Sequence, residues 1–173
     1  MAHLHFFLLL SLTFSFVGPT FGDTELIQNT CKQTLYNDLC VSSLTSDPAS
    51  STADLPSLAI IALKLAYASA LNMEKVIEDQ SKVTTDPFMQ QCLSDCTENF
   101  LDAIDQVEDS ISALDSKGYS DVNTWVTAAM ADSESCEEEF KDQPGYQSPF
   151  TAQNEEFQKL CSNALAITNL LSG

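Results

Sequence analysis

Between residues 87 and 117 the chain carries one pattern that few folds can use. Met89, Leu93, Cys96, Phe100, Ala103, Val107, Ile111 and Leu114 recur at steps of three and four. That spacing puts all eight on one face of a helix and makes the face a bundle seam. Asp86 stands where an N-cap is wanted and Pro87 suits a first helical position. Gly118 follows as a stop. A helix with one long apolar seam must bury it against other helices.

Three more segments supply those helices. From about Pro56 to Lys82, the residues Leu58, Ile61, Leu65, Ala68 and Leu71 repeat at helical spacing. From about Asp121 to Phe140, with Ser120 as cap, Val122, Val126, Ala129, Ser133, Cys136 and Phe140 line one side and Trp125 adds bulk. The last helix is expected to start at Ser148-Pro149, with Phe150, Phe157, Leu160, Ala164, Ile167 and Leu171 on its seam. No strand alternation of useful length occurs. Ahead of these, Asp23 to Thr45 fits two short helical pieces joined by a turn, followed by a turn-rich linker, SDPASSTADLP. The expected fold class is all-α: an up-down-up-down four-helix bundle with an N-terminal helical hairpin.

The first 22 residues contain no Asp, Glu, Lys or Arg, and Phe6 to Val17 is an apolar run too short to span a bilayer. Gly18 and Gly22 are candidate cleavage points, so 1–22 reads as a secretory signal peptide. That leaves a hairpin over 23–50 and a bundle over 51–173. No second long apolar stretch is recognised, so the remainder is expected to be soluble and free of the membrane. All 7 basic and 25 acidic residues lie after the leader, as does the net charge of −18. Such a chain repels nucleic acid and anionic lipid. It suits a cationic partner met by electrostatic steering, or the charge serves solubility alone.

Six cysteines follow the leader: Cys31, Cys40, Cys92, Cys96, Cys136 and Cys161. An even number behind a signal peptide implies disulfides, but six allow 15 pairings. Cys31 and Cys40 could clamp the hairpin. A Cys96–Cys136 bridge would join two antiparallel neighbours. Cys92 lies one turn before Cys96 on the same face. A Cys92–Cys161 bond would tie the last helix to the second bundle helix; two buried free thiols are the alternative. No CxxC occurs, which argues against zinc and against disulfide exchange.

Catalysis has little to work with. Both histidines, His3 and His5, sit in the leader, so Ser-His or Cys-His chemistry has no base. The many carboxylates, as in SESCEEEFKD and DAIDQVEDS, read as solvated helix faces rather than a glycosidase pair. No glycine loop for phosphate is present, and no cofactor is implied.

Several strings resemble one family: TCKQTLYNDLCVSSL, TSDPASSTADLPSLA, LSDCTENFLDAIDQVEDSISAL, VNTWVTAAMADSESCEEEF and SPFTAQNEEFQKLCSNALAITNLL. They resemble the plant invertase and pectin methylesterase inhibitor superfamily across essentially the whole chain after the leader. The resemblance implies a non-enzymatic, secreted inhibitor in the cell wall, apoplast or vacuole. Its partner is acid invertase or pectin methylesterase, whose cleft it blocks. It also implies disulfides Cys31–Cys40 and Cys96–Cys136; Cys92 departs from the common four-cysteine pattern. Invertase inhibitors of the family carry a Pro-Lys-Phe motif between the second and third bundle helices. Here that loop reads Ser116-Lys117-Gly118-Tyr119-Ser120-Asp121, with a lysine and an aromatic residue but no Pro-Lys-Phe. Lys117, Gly118, Tyr119 and Ser120 are the expected target contacts; the alternative is a plain helix–helix turn with Tyr119 packed inward. NTWVTAAM resembles the methylesterase-inhibitor side, whereas the linker and tail resemble a pollen-allergen subgroup labelled invertase inhibitors. Acid invertase is slightly favoured, then pectin methylesterase, then a non-inhibitory allergen-like protein.

Overall fold

The computed structural model describes residues 21–173. The expected signal peptide lies outside them up to residue 20. Six α-helices and one short 3-10 turn are present, and no strand occurs among the described residues.

Helices α1 (Phe21–Cys31) and α2 (Asn37–Ser46) form the N-terminal hairpin, closed by a Cys31–Cys40 disulfide. A 3-10 turn over Pro48–Thr52 follows, started by the Asp47 carboxylate accepting from the Ala49 N–H at 2.8 Å. Two N-caps then launch the long helices. The Asp54 carboxylate accepts from the Ser57 N–H (3.0 Å) and opens α3, Leu55–Val83. The Asp86 carboxylate accepts from the Met89 N–H (2.9 Å) and opens α4, Pro87–Asp115. Each cap answers a donor that the helix itself cannot satisfy. These bonds hold both carboxyls below the usual carboxylate range, chiefly through Ser57 for Asp54 and Met89 for Asp86. Helices α5 (Tyr119–Glu139) and α6 (Thr151–Ser172) complete the bundle.

Each bundle helix packs on two others: α3 on α4 and α6, α5 on α4 and α6. The diagonal pairs stay apart, with no Cα of α4 within 8 Å of one in α6. Phe100 of α4 and Phe157 of α6 meet edge-on across the centre, centroids 5.7 Å apart. Phe140 and Phe150 make a second edge-on pair, 6.2 Å apart, where α5 hands over to α6. All four rings are buried, each contributing about 1.5–3 kcal/mol by leaving water. A Cys96–Cys136 disulfide draws α4 and α5 to a Cα separation of 4.5 Å. The hairpin sends Ile27, Cys31, Cys40 and Leu44 into the same core, and the Asn163 amide of α6 donates to the Tyr36 carbonyl at 3.2 Å.

Four expectations need correction. The stripe on α3 is not Leu58, Ile61, Leu65, Ala68 and Leu71. Ala68 and Leu71 are exposed, and the buried line runs on through Ala62, Ala66, Ala70, Met73 and Ile77. The helix is apolar nearly all round, so several stripes compete; among the described residues it is the one helix long and apolar enough to cross a membrane. In this fold its buried line faces α4 and α6. Trp125 does not add bulk to the core: it is 39% exposed, one position off the buried line of Val122, Val126 and Ala129. The last helix starts at Thr151, because Ser148 is spent elsewhere, donating to Glu137 (2.6 Å) and accepting from the Phe150 N–H (3.1 Å).

The fourth concerns Cys92 and Cys161, which are buried free thiols rather than a third bridge. They sit on the diagonal helices α4 and α6, and a disulfide needs Cα atoms closer than about 7 Å. Burial pushes both thiols above their ordinary range, with Glu139 and Asp95 adding to the effect at Cys92. Neither is a nucleophile near neutrality.

Candidate functional site

The chain from Leu114 to Asn123 turns the corner between α4 and α5. The last turn of α4 closes with two bonds: the Lys117 N–H donates to the Leu114 carbonyl (2.9 Å) and the Gly118 N–H to the Ala113 carbonyl (2.8 Å). This pair of crossed bonds is a Schellman motif. Its left-handed position is taken by Lys117 at φ 59°, not by Gly118, whose φ is −80°. Gly118 is needed for a different reason. A Cβ there would stand 3.0 Å from an Asp121 carboxylate oxygen and 3.2 Å from the Ala113 carbonyl. The turn therefore packs its own backbone against the end of α4.

Gly118, not the expected Ser120, is the N-cap of α5, and its carbonyl accepts from Val122 at 3.0 Å. Ser120 is one residue inside the helix and exposed. Tyr119 is half-buried and packed against the core. Its carbonyl accepts from the Asn123 amide (2.9 Å), which also donates to Asn169 of α6 at 2.9 Å. That bridge fixes the start of α5 to the end of α6. Asn123 and Asn169 escape sequence reasoning, because nothing in their spacing marks a cross-helix pair.

The result is a rigid corner with one charge on it. Lys117 is exposed, and no carboxylate of the described residues lies within salt-bridge distance of its ammonium. The three ion-paired lysines, Lys82, Lys141 and Lys159, all pair with acids three or four residues away on the surface, contacts worth little. Between Lys82 and Lys141 the sequence holds no other cation than Lys117. The corner offers no nucleophile, no base and no cleft of its own. What it can do is present an ammonium and a partly covered aromatic ring to another surface.

Comparison with known proteins gives this arrangement its context. The family model described as plant invertase/pectin methylesterase inhibitor matches residues 25–167. A "Putative invertase inhibitor" of Platanus acerifolia is 36% identical over 153 residues, covering 85% of this chain and 86% of that protein. A "Pectinesterase inhibitor" of Actinidia deliciosa is 32% identical, covering 88% and 82%. The crystal structure of a mutant pectin methylesterase inhibitor from Arabidopsis superposes with a TM-score of 0.71 at 24% identity, over 83% of this chain and 95% of that one, a likeness of fold. The chain belongs to the plant invertase/pectin methylesterase inhibitor family, whose members are proteinaceous inhibitors and not enzymes.

Proposed function

We propose that this chain is a secreted inhibitor of acid invertase that seats the α4–α5 corner in the enzyme's active-site cleft. The observation that carries the reading is Lys117: an exposed, unpaired ammonium on a corner whose backbone is locked by the bonds of Ala113, Leu114 and Gly118. Glycoside hydrolases act through a pair of carboxylates. An ammonium held rigidly in front of such a pair gains Coulomb energy in a site that excludes water, at little ordering cost. Tyr119 and Ser120 would flank it as apolar and polar contacts. The Platanus relative, whose name concerns invertase, supports this choice. Disulfides at Cys31–Cys40 and Cys96–Cys136 suit an oxidising compartment such as the cell wall or the vacuole.

The second reading is a pectin methylesterase inhibitor. It is favoured by the Actinidia relative and by the anionic surface of α4 and α5, which carry no Lys or Arg. Titrating the inhibitor into both enzymes decides between them. Lys117→Ala and Tyr119→Ala should each weaken inhibition of invertase at least tenfold. If both variants inhibit as the wild type does, the corner is not the contact. Inhibition of neither enzyme would leave a non-inhibitory wall protein.

A further inference from the structure

The α4–α5 corner is too small to hold an enzyme alone. A stable interface covers about 800 Å² on each partner, some 20–30 residues, and the corner offers four. The footprint must run down one flank. One flank is the outer seam of α4 and α5; the other is the end of α6, tied on through Asn123 and Asn169. Each flank carries one large exposed apolar side chain, Trp125 on the first and Leu170 on the second, both 39% exposed.

Two observations select the first flank. Trp125 is the sole tryptophan, and it lies about 9 Å along α5 from Tyr119 at the helical rise of roughly 1.5 Å per residue. Nothing in the core requires it, and tryptophan is the side chain most enriched at interface hot spots. The second observation is the charge around it. Trp125, Asp132 and Glu139 follow one another at seven-residue intervals on α5, and Asp95, Asp102 and Asp109 do so on α4. The two lines border each other. The Gln106 amide of α4 donates to Asp132 at 2.8 Å, and the Cys92 thiol lies 3.5 Å from the Glu139 carbonyl. Seven acids on α4 and six on α5 stand without one Lys or Arg.

We infer that the target enzyme's footprint extends from the corner along the outer α4–α5 seam, with Trp125 as its apolar anchor and the flanking carboxylates meeting Lys and Arg side chains of the enzyme. This rests on the inhibitor reading above and adds the partner's chemistry. The enzyme presents carboxylates opposite Lys117, an apolar notch for the indole, and a basic wall beside it.

The test compares wild type, Trp125→Ala, Trp125→Phe and Leu170→Ala by titration into acid invertase and into pectin methylesterase, with thermal melting of each variant alone. Trp125→Ala should weaken inhibition of the sensitive enzyme about 30-fold, the equivalent of a hot spot. Its melting temperature should stay near the wild type's, as for a surface substitution. Trp125→Phe should recover most of the loss, and Leu170→Ala should change inhibition less than threefold. Hydroxyl-radical footprinting of the wild type keeps the test independent of any variant's folding: oxidation of Trp125 should slow at least fivefold in the complex. If wild type inhibits one enzyme while Trp125→Ala matches it, or Trp125 stays as reactive in the complex as alone, the inference fails and the inhibitor reading stands. A larger loss with Leu170→Ala also overturns it, by moving the footprint to α6. If the wild type inhibits neither enzyme, both fall.

Discussion

Replacing Lys117 by glycine separates what this residue does for the fold from what it does for a target. Its φ of 59° is a left-handed conformation, which costs an L-residue with a side chain roughly 1–2 kcal/mol. Glycine removes that cost but gives the unfolded chain more freedom, worth about 0.5–1 kcal/mol. The net gain is about 0.5–1 kcal/mol, or roughly 2–3 °C in melting temperature for a domain of this size. Alanine at the same position keeps the strained φ, so Lys117→Ala should melt within about 1 °C of the wild type. Both variants lose the ammonium and should lose inhibition alike. Circular-dichroism melting and titration of acid invertase read the two effects on the same samples. If Lys117→Gly melts no higher than Lys117→Ala, the left-handed strain is not there to relieve. If Lys117→Gly is more stable and inhibits fully, the ammonium plays no part.

Three further outcomes follow from the structure. Replacing both Cys96 and Cys136 by alanine opens a 40-residue loop, which the chain-entropy treatment values at about 4 kcal/mol; a loss under about 1 kcal/mol in denaturant unfolding would contradict that role. Alkylation of the native protein should label neither Cys92 nor Cys161, and alkylation after unfolding without reductant should label both; a mass showing no free thiol would restore the third bridge. Stability should depend on pH in two opposite ways. Burial raises the carboxyls of Asp132 and Glu139, so the folded state binds protons more readily and stability grows as pH falls from about 7.5 to about 5. Asp54 and Asp86 are lowered by capping, so their contribution holds above the ordinary value of 3.8 and is lost as pH drops through and below it. A melting temperature that rises steadily with pH over the whole range would refute the first part.

The bundle is readable in the sequence where local and long-range signals agree. Asp86-Pro87 marks a helix start, and the seam from Leu93 to Leu114 then lies where the core is. On α3 the signal is ambiguous, because a helix rich in Ala, Ile and Leu on every side lets Leu58–Leu71 compete with Ala62–Ile77. Cysteine pairing needs more than facing the core: Cys92 and Cys161 both do, but from diagonal helices, and adjacency is a property of the assembled bundle. The corner is recognisable as a turn from Gly118. That its left-handed residue is Lys117 is hidden, since the glycine is held by the close approach of Ala113 instead. Trp125 differs from a core position by a single residue, about 100° around the helix, and composition alone favours burying it.

The most direct measurement of the central claim is a parallel inhibition curve of the wild type and Lys117→Ala against acid invertase and pectin methylesterase at mildly acidic pH. An inhibitor that seats Lys117 in a glycosidase cleft should block invertase in proportion to the amount added, leave pectin methylesterase the less affected enzyme, and lose at least tenfold in potency on invertase when Lys117 becomes alanine. Full inhibition of pectin methylesterase with invertase untouched, or an alanine variant as potent as the wild type, would contradict it.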